Sequence, residues 1–123
     1  SVINAMCQIT EEKDFHSSAV PKVVVNMNND LLYMSRSPIP LTKNKTMVKA
    51  YKQVCIYAFP KSTLKKFAAQ TTKTPIESIE DIEILRFVEM GVPVKMVEVS
   101  RSSISVDYPE DVKRVENALN SNS

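Results

Sequence analysis

The chain has 123 residues, 43% of them apolar and 24% charged, a composition that supports one buried core in an ordinary globular domain. Sixteen basic and 14 acidic residues are well mixed along it, a balance that points to neither nucleic acid nor an anionic membrane. Gly91 is the single glycine, which excludes a glycine-rich phosphate loop, and two cysteines, Cys7 and Cys55, are too few for a disulfide scaffold or a zinc cage.

No apolar run approaches the ~18–20 residues that would span a bilayer. The opening Ser1-Val2-Ile3-Asn4 has no basic stretch or long apolar region of a signal peptide, and a reduced, cytoplasmic setting is expected. The segment from Ser1 to Asp14 is short, ends in Glu11-Glu12-Lys13-Asp14, and offers little to pack against by itself. Lys22-Val23-Val24-Val25-Asn26 is β-branched and continuous, a buried strand. Met27-Asn28-Asn29-Asp30 is a polar turn, and Leu31-Leu32-Tyr33-Met34 completes a hairpin. Ser37 to Lys49 reads as a long exposed connection, and Lys52 to Phe59 as another strand. Within that strand, Cys55 is expected to be a small buried hydrophobe.

Three helices follow from the pattern. Pro60 opens one through about Gln70, with Leu64, Phe67 and Ala68 at helical spacing. Thr74-Pro75-Ile76-Glu77 is the clearest start: Thr74 as N-cap, Pro75 at the first helical position, and Glu77 reaching back to close a capping box. Ile76, Ile79, Ile82 and Leu85 then predict one apolar stripe on a single helix stopped at Gly91, with Glu77, Glu80, Asp81 and Glu83 on its solvated side. Val92 to Val99 is a strand, and Pro109 opens a last helix with Val112, Val115 and Leu119 on one face. Strands alternating with helices make this an α/β layered domain.

Chemistry is sparse. His16 stands alone and reads as a solvated loop histidine. Lys43, Lys45, Lys49 and Lys52 suit a solvated loop or an anion-binding one. Asp107, at a strand end just ahead of a helix, sits where α/β folds place ligands and metals, or serves as a plain N-cap.

Five segments carry a resemblance. Leu32-Tyr33-Met34-Ser35-Arg36-Ser37-Pro38-Ile39-Pro40, the Pro21-Lys22-Val23-Val24 lead-in, Val54-Cys55-Ile56-Tyr57-Ala58-Phe59, the run from Pro75 to Arg86, and Val106-Asp107-Tyr108-Pro109-Glu110-Asp111-Val112 stand in order and register. Together they resemble the C-terminal half of 3-deoxy-manno-octulosonate (Kdo) cytidylyltransferases, from about Phe15 to Leu119. The resemblance implies a three-layer nucleotidyltransferase fold whose C-terminal portion has a mixed sheet, a hairpin and flanking helices. It also implies that residues 1–123 are the sugar-binding and dimerisation half of an enzyme, without the nucleotide-binding half.

The implied reaction is magnesium-dependent: the anomeric hydroxyl of an acidic sugar attacks the α-phosphorus of CTP, giving CMP-sugar and pyrophosphate. Asp107 matches the family's metal-ligating aspartate. Arg36 is placed to pair with the sugar carboxylate, since a guanidinium fits that group in a bidentate way. Tyr57 and Glu83 match residues of the sugar pocket, and Gln53 stands where the family usually has histidine. Ile84 replaces a glutamine, Cys55 and Ser105 replace glycines, and Tyr108 replaces a threonine. Loss of a polar partner alters which sugar such a pocket selects, leaving Kdo or another acidic eight- or nine-carbon sugar. A homodimer is the implied assembly. The alternative from another class is a non-catalytic α/β interaction or assembly module.

Overall fold

The computed structural model describes residues 2–100. Asp107, Ser105, Tyr108 and the helix expected from Pro109 lie outside the described residues. The elements are β1 (Val2–Gln8), α1 (Glu12–His16), β2 (Lys22–Val25), β3 (Leu31–Ser35), β4 (Tyr51–Ala58), α2 (Lys61–Ala69), α3 (Pro75–Glu80), α4 (Leu85–Glu89) and β5 (Val94–Glu98). The five strands form one mixed sheet in the order β3-β2-β4-β1-β5, with β1 antiparallel to β4 and parallel to β5.

The N-terminal segment corrects the sequence expectation. Far from having little to pack against, β1 is an interior strand whose residues Val2 to Cys7 are all buried. Successive side chains of a strand point to opposite faces. Val2 and Met6 therefore join Val23, Met34, Phe87, Val94 and Met96 in one core, while Ile3, Ala5 and Cys7 join Val54 and Val99 in a second. A strand buried on both faces reads as a continuous apolar run, which explains why periodicity gave no signal. Five-residue α1 is anchored by Phe15, fully buried with Ile9 and Ala50. His16 at its end is exposed.

The β2–β3 hairpin forms as expected, and its tip folds back onto β5. The Met96 amide donates to the Asn29 carbonyl at 2.8 Å, and Lys95 Nζ lies 3.1 Å from the Asp30 carboxylate. This contact curls the sheet around the larger core. Residues 37–49 contain no helix or strand, and Lys43, Lys45 and Lys49 are exposed there.

The helix expected from Thr74 to Gly91 is two short helices. The Thr74–Glu77 capping box is present, with Pro75 at the first helical position. The helix then stops at Asp81, which adopts a left-handed conformation (φ 56°, ψ 50°) with its amide bonded to the Glu77 carbonyl at 2.8 Å. The break redirects the stripe: Ile82, Ile84 and Leu85 are buried, while Ile79 is 82% exposed. Gly91 (φ 76°) ends α4, where the Val92 amide returns to the Phe87 carbonyl at 2.8 Å.

Of the four acidic residues expected on a solvated side, Asp81 and Glu83 are exposed and Glu77 and Glu80 are not. Glu77 is buried against Arg86, and Glu80 accepts from the Tyr33 hydroxyl (2.8 Å) and the Arg36 amide (3.1 Å).

Candidate active site

A β-bulge sets the site. Along β4, Val54 pairs with Ala5 and Tyr57 pairs with the neighbouring Asn4, so Cys55 and Ile56 are extra residues in the ladder. Cys55 is consequently exposed, contrary to its expected burial. Asn4, fully buried, holds the bulge in place. Its Nδ2 donates to the carbonyls of Val54 and Ile56, each at 3.0 Å, and its Oδ1 accepts from Gln53 Nε2 at 3.0 Å. Gln53 Nε2 also donates to the Tyr57 hydroxyl at 3.1 Å. The result is a hydrogen-bonded row, Asn4–Gln53–Tyr57, along one face of the sheet.

The row ends at a pocket of about 260 Å³ lined by Tyr57, Phe59, Leu64, Phe67, Glu83, Ile84 and Phe87. Its floor and far wall are apolar. Tyr57 stacks on Phe59 (centroids 5.8 Å apart), Phe59 on Phe87 (5.7 Å), and Phe67 tilts against Phe87 at 5.2 Å. Tyr57 and Glu83 are the lining residues that carry polar side-chain groups. Although Tyr57 is 41% exposed, its pKa is pushed up to about 12, first by partial desolvation of the phenol, then by the Cys55 thiol and the Glu83 charge. The phenol therefore stays protonated across the neutral range and is both a donor and an acceptor for a ligand hydroxyl.

The structure thus gathers Gln53, Tyr57 and Glu83, three of the residues singled out from the sequence. Arg36 packs elsewhere. Its Nε and Nη2 donate to the carbonyls of Glu80 and Asp81, and its Nη1 to that of Ser18 at 2.8 Å, tying the end of β3 to α3. The neighbouring Lys22 is fully buried, and burial lowers its pKa, aided by the Arg36 charge and opposed by Glu80. Among the described residues no cluster of His, Cys, Asp or Glu could hold a metal ion, and Asp107 lies outside them. Asn4 and the aromatic wall had no place in the sequence reading. One signal was available: an asparagine inside the apolar run Val2-Ile3-Asn4-Ala5-Met6 has to be satisfied by a partner.

Residues 4–101 match the family model described as cytidylyltransferase. The chain belongs to the cytidylyltransferase family. It is 35% identical over 119 residues to the 3-deoxy-manno-octulosonate cytidylyltransferase of Chlamydia abortus, covering 96% of this chain and 46% of that protein. The enzyme of the same name from Flavobacterium johnsoniae is 37% identical over 110 residues, 89% of this chain and 45% of its own length. Among solved structures, a CMP:2-keto-3-deoxy-manno-octonic acid synthetase complexed with CTP superposes with a TM-score of 0.75 at 30% identity, over 99% of this chain and 50% of that one. The chain therefore spans about half the length of the cytidylyltransferases it matches. The mixed sheet with flanking helices is the α/β nucleotidyltransferase architecture of that family.

Proposed function

We propose that this chain is the sugar-facing part of an enzyme that activates an acidic 3-deoxy sugar, Kdo or a close relative, with CTP to release pyrophosphate. The observation that carries the reading is the Asn4–Gln53–Tyr57 row ending at the pocket that Glu83 also lines, in a chain of this family. Tyr57 and Glu83 would hydrogen-bond sugar hydroxyls, and Gln53 would fix the phenol so that it need not reorient when the sugar arrives. Catalysis of this kind is positioning plus charge neutralisation around the α-phosphorus. Magnesium, held in part by Asp107, belongs to the same reading and would supply that neutralisation when bound. Arg36 is its weakest component, because donors on all three of its guanidinium nitrogens are engaged by backbone carbonyls.

The resemblance also supports a homodimer using the β2–β3 hairpin, on which Met27 and Leu32 are exposed. Light scattering at tens of micromolar tests it: a dimer mass is expected, and a monomer contradicts it. The pocket is tested in the parent enzyme that this reading implies, one that joins these residues to a nucleotide-binding half. Tyr57→Phe and Glu83→Gln should each raise the KM for Kdo by roughly tenfold, as loss of a polar contact to substrate does, while the KM for CTP stays put. An unchanged sugar KM in both variants contradicts the reading.

A further inference from the structure

Helix α2 is held by little of its own surface. Leu64 is 52% exposed, and Thr63, the helix's one buried residue, bonds back to the Pro60 carbonyl at 2.8 Å. The attachment lies at the last turn. Phe67 packs on Phe87, and the Arg86 guanidinium lies 3.9 Å from the Phe67 ring centroid. Arg86 Nη1 donates to the carbonyls of Phe67 (3.3 Å), which also accepts the Gln70 amide, and of Gln70 (3.2 Å), at the C-terminal end of the helix.

The other edge of that guanidinium is fixed by Glu77. Nε meets Oε1 at 2.8 Å and Nη2 meets Oε2 at 3.0 Å, a bidentate pair with Glu77 only 1% exposed. Glu77 is itself immobilised, since its carboxylate takes the Thr74 amide at 3.0 Å and its own amide donates to Glu89 at 3.0 Å. A continuous set of oriented contacts therefore runs from α3 through Arg86 to the end of α2. From α2, Leu64 and Phe67 line the pocket that Tyr57 and Glu83 also line.

We propose that Arg86 is a positioning residue for this pocket: held by Glu77, it latches the last turn of α2 and so sets the wall that Leu64 and Phe67 present to the ligand. That the ligand is a sugar rests on the function proposed above; the latch itself does not. Lysine cannot substitute, because a single ammonium lacks the planar fork that serves a carboxylate and two carbonyls at once.

Hydrogen exchange on the 123-residue chain tests the latch without any ligand. In Arg86→Lys and Glu77→Gln, the amides of residues 65–70 should exchange about tenfold faster or more, while those of the β1–β4 ladder keep their rates. Unchanged exchange in α2, or equal acceleration of helix and sheet, overturns the latch. In the parent enzyme, Arg86→Lys should raise the KM for Kdo several-fold with kcat and the KM for CTP nearly unchanged. Tyr57→Phe is the reference in that assay. If Tyr57→Phe raises the sugar KM and Arg86→Lys does not, the positioning role is overturned. If neither raises it, the sugar reading fails and hydrogen exchange alone decides the latch.

Discussion

Asn4 sits wholly buried in the middle of an apolar strand, and its cost of burial is offset by three hydrogen bonds into β4. Asn4→Ala would leave the Val54 and Ile56 carbonyls without their donor and free the Gln53 side chain. We expect a loss of about 1–3 kcal/mol in urea unfolding, the usual cost of unsatisfied buried groups. A loss within error of zero would mean that the bulge holds itself. The phenols give a second check. Tyr33 is raised to about 12 by burial and its bond to Glu80, and Tyr57 to about 12 by partial desolvation and Cys55. Folded values above the unfolded value of about 10 mean that the stability they contribute is complete below that pH and lost as pH rises through about 12. Phenolate absorbance should therefore show two late ionisations, one removed by Tyr33→Phe and one by Tyr57→Phe. Ordinary titration of both near pH 10 would contradict the packing described.

At the scale of elements, what was legible in the sequence is what local chemistry decides. The Thr74-Pro75-Ile76-Glu77 start, the Asn-rich hairpin turn and the Gly91 stop all formed, because each depends on a few neighbouring residues. What failed to show depends on partners distant in sequence. β1 is recognisable only once β4 and β5 flank it, and the outward turn of Cys55 follows from a bulge pinned by Asn4, 51 residues earlier. The break at Asp81 was hidden for another reason: the isoleucine spacing continues through it, whereas the buried set shifts to Ile82, Ile84 and Leu85. Of the site, Gln53, Tyr57 and Glu83 were legible through family resemblance, and their pocket walls were not. Asp81 offers a direct test of the break. A β-branched residue is costly in the left-handed region, so Asp81→Val should lower stability by about 1–2 kcal/mol, while Asp81→Gly stays close to neutral. Equal effects from both substitutions would show that the left-handed turn is not what separates α3 from α4.

Across the whole molecule, a curled mixed sheet carries the polar row, and α2, the α3–α4 connection and α4 wall the pocket beside it. No glycine-rich segment is available to cradle a triphosphate, so the 123-residue chain alone should release no pyrophosphate from CTP. In the proposed function, these residues serve a CTP-dependent activation of an acidic sugar. The most direct measurement is pyrophosphate release by the parent enzyme with CTP and magnesium, with and without Kdo, in the native protein and in Asp107→Asn and Glu110→Gln. Release should depend on the sugar, fall on the order of 10² or more in Asp107→Asn, and stay near native in Glu110→Gln. Absence of release with Kdo and with other acidic 3-deoxy sugars, from a protein that binds CTP, would contradict that function.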